Sequence, residues 1–196
     1  VRAHSRFVSP TRIRCTSTAC VAMAAENRLR EERKNWRRDH PHGFVAKPIT
    51  KPDGTQDLFE WDIRIPARQS SVWYPGVYEG RLSFTADYPV RPPSFKFKPI
   101  EGEPLFHPNV YTDGNICMSI INPPESTHGY GKGGNWSISI TIKQVLLAVQ
   151  LFMDEASGYA AGREEAYRLY NHDRAEYNRR VKQQVAKVDS VPGAAT

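Results

Sequence analysis

His107-Pro108-Asn109-Val110-Tyr111-Thr112-Asp113-Gly114-Asn115-Ile116-Cys117 divides the chain into two parts of different character. Before it lie one helical stretch and then short alternating runs; after it lie only helical periodicities. The stretch itself is a tight polar loop, because Pro108, Asn109, Asp113 and Gly114 all favour irregular backbone. Cys117 closes it and is the only cysteine after residue 20. A cysteine can be a buried small hydrophobe, a metal ligand, a disulfide half or a nucleophile, and burial is the commonest fate of a free thiol. One placed just beyond a polar loop, outside any apolar run, is expected to be accessible. It is read here as a nucleophile.

Upstream of the loop, Ala24 to Asp39 reads as a helix with Leu29 and Trp36 on one face and charge on the others, ended by Pro41 and Gly43. Four strand-like runs follow: Phe44–Ile49, Leu58–Ile65, Tyr78–Ala86 and Phe95–Phe97. The third alternates clearly, with Tyr78, Gly80, Leu82, Phe84 and Ala86 on one side. Short connections predict an antiparallel meander. Residues 99 to 140 are rich in Pro, Gly and Asn and carry little regular pattern; loops of that length inside a domain usually serve a function.

Downstream, Ile142 to Asp154 predicts a strong helix with Thr141 as N-cap, apolar nearly all round and therefore central and buried. Two more helices are expected at Arg163–Tyr170 and Asp173–Val188, the second capped by Asp173 with Glu176 and striped by Tyr177, Val181 and Val185. The predicted architecture is α+β: an N-terminal helix, a four-stranded antiparallel meander, a long active-site loop, a central helix and two C-terminal helices. Residues 191–196 are expected to fray.

Composition narrows the function. The 196 residues suit one domain, read as 23–190. The longest apolar run, Val145 to Met153, is interrupted by Gln150 and falls short of the roughly 20 residues that span a bilayer. Three cysteines, at 15, 20 and 117, make no zinc spacing, and they are read as belonging to a reducing nuclear or cytoplasmic compartment. Arg2, Arg6, Arg12 and Arg14 supply four of the six net positive charges, with no acid among residues 1–22. The basicity therefore says little about nucleic-acid binding by the folded body. That segment has transit-peptide composition. The first methionine is Met23, with a helical pattern directly behind it, so residues 1–22 are read as a disordered or non-native extension.

Several motifs together resemble the ubiquitin-conjugating enzyme superfamily. They are His107-Pro108-Asn109, Cys117 eight residues on from Asn109, Trp136 ahead of the central helix, and Tyr88-Pro89-Val90-Arg91-Pro92-Pro93 before the fourth strand. The likeness covers about residues 26 to 188. Within it the chain is most similar to the SUMO-conjugating branch, through Glu32–Pro41 with Gly43–Ala46, through Cys117-Met118-Ser119-Ile120, and through Ile140-Thr141-Ile142-Lys143-Gln144. A ubiquitin-conjugating enzyme and a non-catalytic scaffold of the same fold remain the alternatives.

The resemblance implies a ubiquitin-conjugating-type fold and acyl transfer without a cofactor. Cys117 would take SUMO from the activating enzyme as a thioester and pass it to a substrate lysine, with SUMO ligases and substrate proteins as further partners. No nucleic acid or membrane is expected, and the chain would act as a monomer. Asn109 would support the oxyanion or brace the loop. Tyr111 and Tyr167 would line the lysine slot, and His107 would be architectural. Arg33, Lys34, Arg37 and His40 would dock the activating enzyme and non-covalent SUMO. The branch usually carries an acid and a proline where this chain has Ala160-Ala161, so Asp113 is the candidate substitute for orienting or deprotonating the lysine. That carboxylate should repel an acidic residue beside the target lysine, with Lys96 compensating and Asn115 at the same rim. Two further departures are the insertions Ile100–Glu103 and Asn122–Asn135, the second read as a glycine-rich flap.

Overall fold

The computed structural model describes residues 18–126, 133–156 and 162–193. Helix α1 runs Thr18–Arg38, strands β1 to β4 run Val45–Thr50, Gln56–Pro66, Val77–Ser83 and Ser94–Phe97, and helices α2 to α4 run Ile142–Phe152, Glu164–His172 and Arg174–Val185. The strands form one antiparallel sheet in chain order. This is the predicted α+β meander with its flanking helices.

Each strand buries alternate residues, as a pleated ribbon must when one face is covered. Trp61, Ile63 and Ile65 of β2, Tyr78 and Leu82 of β3, and Phe95 and Phe97 of β4 are almost wholly shielded. Their neighbours Asp62, Arg64, Glu79, Arg81 and Lys98 form an ion-pair ladder on the outer face. Against the inner face pack Ala25, Leu29 and Trp36 of α1 and Ile142, Val145, Leu146 and Val149 of α2. Each such aliphatic side chain removed from water contributes about 1.5–3 kcal/mol.

Thr141 caps α2 as expected: its hydroxyl accepts from the Gln144 N–H, and the Gln144 side chain accepts from the Thr141 N–H at 2.9 Å. A third group joins them. Glu32, buried on α1, accepts from the Ile142 N–H at 3.1 Å and from Arg28 at 2.7 Å. A carboxylate at a helix N-terminus is favoured by the unpaired amides there, so Glu32 locks α1 to α2.

Two boundaries differ from the sequence reading. Helix α1 begins at Thr18, because Ala22, Met23, Ala24 and Ala25 are good helix formers that continue the pattern backward. Residues 18–22 of the extension read as disordered or non-native are therefore helical, and residues 1–17 lie outside the described residues. Cys20, in the first turn, is disulfide-bonded, which the reading of the cysteines as reducing-compartment thiols did not anticipate. At the other end the chain stays attached beyond residue 190. The Val77 N–H donates to Asp189 and the Val191 N–H to Pro75, at 2.7 and 2.8 Å, so Val191 is docked and not frayed. Helix α2 is also less enclosed than its composition suggested: Leu151 is 46% exposed. No described helix is long and apolar enough to cross a membrane.

Candidate active site

Between β4 and α2 the described residues 98–126 and 133–141 belong to no strand and form a strap of turns and isolated bridges. It starts with the insertion Ile100–Glu103, which closes on itself: Ile100 and Glu103 exchange both backbone hydrogen bonds, at 2.8 and 3.0 Å. Glu101 and Gly102 between them have φ of 49° and 85°, the conformation favoured in two-residue hairpins. Lys187 pairs with Glu101 at 2.7 Å and Arg163 with Glu103 at 3.8 Å. What reads as a lengthened approach is thus a compact hairpin fastened to residues just ahead of α3 and just past α4.

His107 follows, fully buried, its ring 4.5 Å from that of Phe152 and its Nδ1 accepting the Asn109 N–H at 3.1 Å. Burial pushes its pKa down to about 3, so the ring is neutral at physiological pH. It serves as architecture, in agreement with the sequence reading.

Asn109 and Cys117 are opposite each other across a small hairpin-like loop, which gives the eight-residue spacing a structural meaning. The Cys117 N–H donates to the Asn109 carbonyl at 3.1 Å, Val110 bridges Ile116, and the Tyr111 N–H donates to Asn115 at 2.8 Å. Gly114 at the tip has φ 89°, and a Cβ there would lie 2.4 Å from the Phe97 carbonyl. Only glycine lets the tip sit this close to β4, where the Phe97 N–H donates to the Gly114 carbonyl at 2.9 Å.

Around this loop the candidate side chains assemble. Cys117 is a free, half-exposed thiol and Asn109 is fully buried. Half-buried Tyr111 has its pKa raised, first by burial, then by the charge and hydrogen bonding of Cys117, then by Asp113, so its hydroxyl remains protonated beside the thiol. Asp113 is exposed and closes an Asx turn, Oδ1 accepting the Asn115 N–H at 3.0 Å and Oδ2 the Asn115 Nδ2 at 2.5 Å. The Asn115 backbone N–H holds its carboxyl below the ordinary range, with the Asn115 side chain and then Lys96 adding to the effect. Lys96 reaches the loop through its bridge to Asn115. Asp113 is therefore an ionised, already engaged carboxylate that shapes the rim.

Tyr167 sits half-buried on α3. That helix is fastened to the loop just ahead of it, where the Gly162 and Arg163 N–H groups both donate to Pro108, at 3.2 and 3.3 Å. A Cβ on Gly162 would lie 2.6 Å from the Val110 carbonyl carbon, so this packing too requires glycine. Ala160 and Ala161 lie outside the described residues. So do residues 127–132 of the glycine-rich insertion, whose neck is closed by the Gly134, Asn135 and Trp136 N–H groups donating to Pro123, Ser119 and Asn122.

Arg33, Lys34, Arg37 and His40 lie on or just after α1, apart from the thiol loop. Among the described residues the first three form no ion pair, while His40 stacks on Trp36 at 5.5 Å and hydrogen-bonds the Trp36 carbonyl through Nδ1. Among the described residues no group of three or more His, Cys, Asp or Glu side chains could hold a metal ion.

Sequence reasoning missed Gly162, Arg163, Gln184 and Glu32. For Arg163 a signal was present. A cation at a helix start, followed by Glu164-Glu165, opposes the helix dipole and needs partners elsewhere.

The family model described as "Ubiquitin-conjugating enzyme" matches residues 28–185. The SUMO-conjugating enzyme UBC9 of Caenorhabditis elegans is 42% identical over 163 residues, covering 83% of this chain and 90% of that protein. The SUMO-conjugating enzyme SCE1 of Arabidopsis thaliana is 41% identical over 160 residues, covering 82% and 92%. With the meander, the hairpin that sets Asn109 against Cys117, and matches that span nearly the whole described body, this chain belongs to the ubiquitin-conjugating enzyme family.

Proposed function

We propose that this chain is a SUMO-conjugating enzyme. The observation that carries the chemistry is the free, half-exposed Cys117 facing the Tyr111 hydroxyl and bonded through its backbone to buried Asn109. The modifier is supported by relatives named as SUMO-conjugating enzymes at 41 and 42% identity and by the Cys117-Met118-Ser119-Ile120 and Ile140–Gln144 stretches.

In the first step the Cys117 thiolate attacks the thioester carbonyl of SUMO on the activating enzyme, and the activating enzyme's own thiolate leaves. In the second a neutral lysine amine attacks the new thioester, Cys117 leaves as thiolate, and the amine loses a proton as the isopeptide forms. A thiolate suits both roles, as nucleophile and as leaving group. An amide donor from Asn109 at the developing oxyanion is worth on the order of 3 kcal/mol of barrier. The amine must first lose its charge, since free lysine has a pKa near 10.4, and a slot walled by Tyr111 and Tyr167 favours the neutral form by excluding water. Asp113 adds a negative charge at the rim, which Lys96 partly offsets. The unpaired basic face of Arg33, Lys34 and Arg37 serves as the docking surface for acidic partners, the activating enzyme and non-covalent SUMO among them.

The test is thioester formation. The protein is incubated with activating enzyme, ATP and either SUMO or ubiquitin, with Cys117→Ser as control, and resolved on non-reducing gels. A reducible adduct with SUMO alone is expected. An adduct with ubiquitin alone reassigns the modifier, and no adduct with either from folded protein leaves a scaffold.

A further inference from the structure

We infer that Arg163 is a positioning residue for the transfer step, acting on Asn109 and Cys117 through the backbone of residues 104–108. This rests on the acyl-transfer reading above. The Arg163 Nη1 donates to the Pro104 carbonyl at 3.1 Å, its guanidinium lies 5.1 Å from the centre of the Phe106 ring, and its Nη2 is 3.8 Å from the Glu103 carboxylate. The backbone N–H of the same residue donates to Pro108. One residue therefore grips both ends of the segment that delivers Asn109.

That segment needs a grip. It contains two prolines and belongs to no strand, so its carbonyls lack ladder partners, and buried carbonyls must find donors somewhere. Gln184 of α4 supplies a parallel contact, donating to Pro104 at 2.9 Å and accepting the Phe106 N–H at 2.8 Å. Arg163 differs from it by reaching Pro108 as well, one peptide bond from Asn109, whose carbonyl in turn holds the Cys117 N–H. The helix itself gains nothing from this side chain. Arg163 occupies the N-cap position of α3 with no side-chain cap bond, and its side chain, only 21% exposed, folds back towards the hairpin.

The consequence falls on one step more than the other. Both steps develop an oxyanion, but exchange between thioesters pairs a strong nucleophile with a good leaving group, so attack by a neutral amine leans more on the donor being in register with the carbonyl. A misplacement of about 1 Å can cost roughly 10²-fold in rate. Loss of the Arg163 side-chain contacts to Pro104, Phe106 and Glu103, with the backbone bonds to Pro108 kept, should therefore slow discharge to lysine through kcat, leaving KM for lysine and charging of Cys117 unchanged.

The experiment compares the parent with Arg163→Ala, Arg163→Lys and Glu103→Gln in single-turnover discharge of the SUMO thioester to free lysine. Charging rates and thermal melts are recorded alongside. Arg163→Ala is expected to lower kcat for discharge about tenfold, a partial loss of positioning. Arg163→Lys should recover part of it, because an ammonium keeps the charge but lacks the planar fork. Glu103→Gln, at an exposed carboxylate that cannot threaten folding, should give a small loss in the same direction. Parental discharge by folded Arg163→Ala would overturn the inference. So would equal losses in charging and discharge that track a lowered Tm, which marks a merely structural role. If Arg163→Ala does not fold, parental kcat in both Arg163→Lys and Glu103→Gln overturns it. A parent that charges with ubiquitin instead of SUMO overturns the SUMO reading alone, and the same variants are then compared on the ubiquitin thioester.

Discussion

Between β1 and β4 each strand finds its hydrogen-bond partner in the next strand along the chain, whereas in the described residues of the strap, 98–126 and 133–141, local turns are supplemented by partners far along the chain. Pro104 accepts from Gln184, 80 residues on, and Pro108 from Gly162 and Arg163. The sheet holds its shape through repeated local pairing over an apolar face. The strap holds the reactive residues through a few long-range contacts, and the thiol loop at its centre is braced from β4 on one side and α3 on the other. Lesions in the first region should cost stability, and lesions in the second should cost rate.

The sharpest separation comes from Cys117→Ser. Conjugation is expected to cease while the thermal melt stays at the parental value, since a half-exposed thiol contributes little packing; a gel of conjugates and a calorimetric scan check both. On the other side, Glu32→Ala leaves the buried Ile142 N–H without its acceptor, while Arg28 keeps the Ile138 and Ile140 carbonyls. It should lower stability by about 1–3 kcal/mol, read from the urea midpoint, with little change in rate per folded molecule. Asn109→Ala tests the strap again: discharge to lysine should fall about 10²-fold, the value of one oxyanion donor, with thioester formation retained. Retention of full discharge would reduce Asn109 to a brace.

His107 joins the two regions and gives a pH test. Its pKa in the folded protein is about 3, against roughly 6.5 in an unfolded chain. Between these values the unfolded state binds the extra proton, so stability is complete above about pH 6.5. It then falls by about 1.4 kcal/mol per pH unit as the solution is acidified towards pH 3. Urea midpoints across that window should flatten in His107→Gln; an unchanged slope would mean another group carries the acid sensitivity. The smallest effect is expected from Asp113→Ala, which opens the Asx turn and removes a charge that Lys96 already offsets. Discharge should slow severalfold with charging spared, and equal discharge by mutant and parent would remove Asp113 from the chemistry.

Much of this was legible before any coordinates. Tyr78, Gly80 and Leu82 face inward because alternation is a property of the strand itself, and Thr141 caps α2 because its partner Gln144 is three residues away. Cys117 could be picked out because it stands beside a polar loop, and Asn109 and Tyr111 because that loop resembles the family's motif. Arg163, Gln184 and Glu32 could not. Nothing within a helical window marks a glutamate on α1 as the cap of α2, or a glutamine on α4 as the partner of a proline carbonyl.

What the sequence determined alone is what short-range physics decides: the period of each element, the caps, the turn residues, and a thiol placed beside a polar loop. Tertiary structure decided how that loop is held. It tied the Ile100–Glu103 hairpin to Lys187 and Arg163, set the loop tip at Gly114 against β4, and fixed Pro108 to the residues ahead of α3. The reason is that irregular backbone leaves some groups, here the Pro104 and Pro108 carbonyls, without a local partner, and only the packed fold brings the distant donors that supply one.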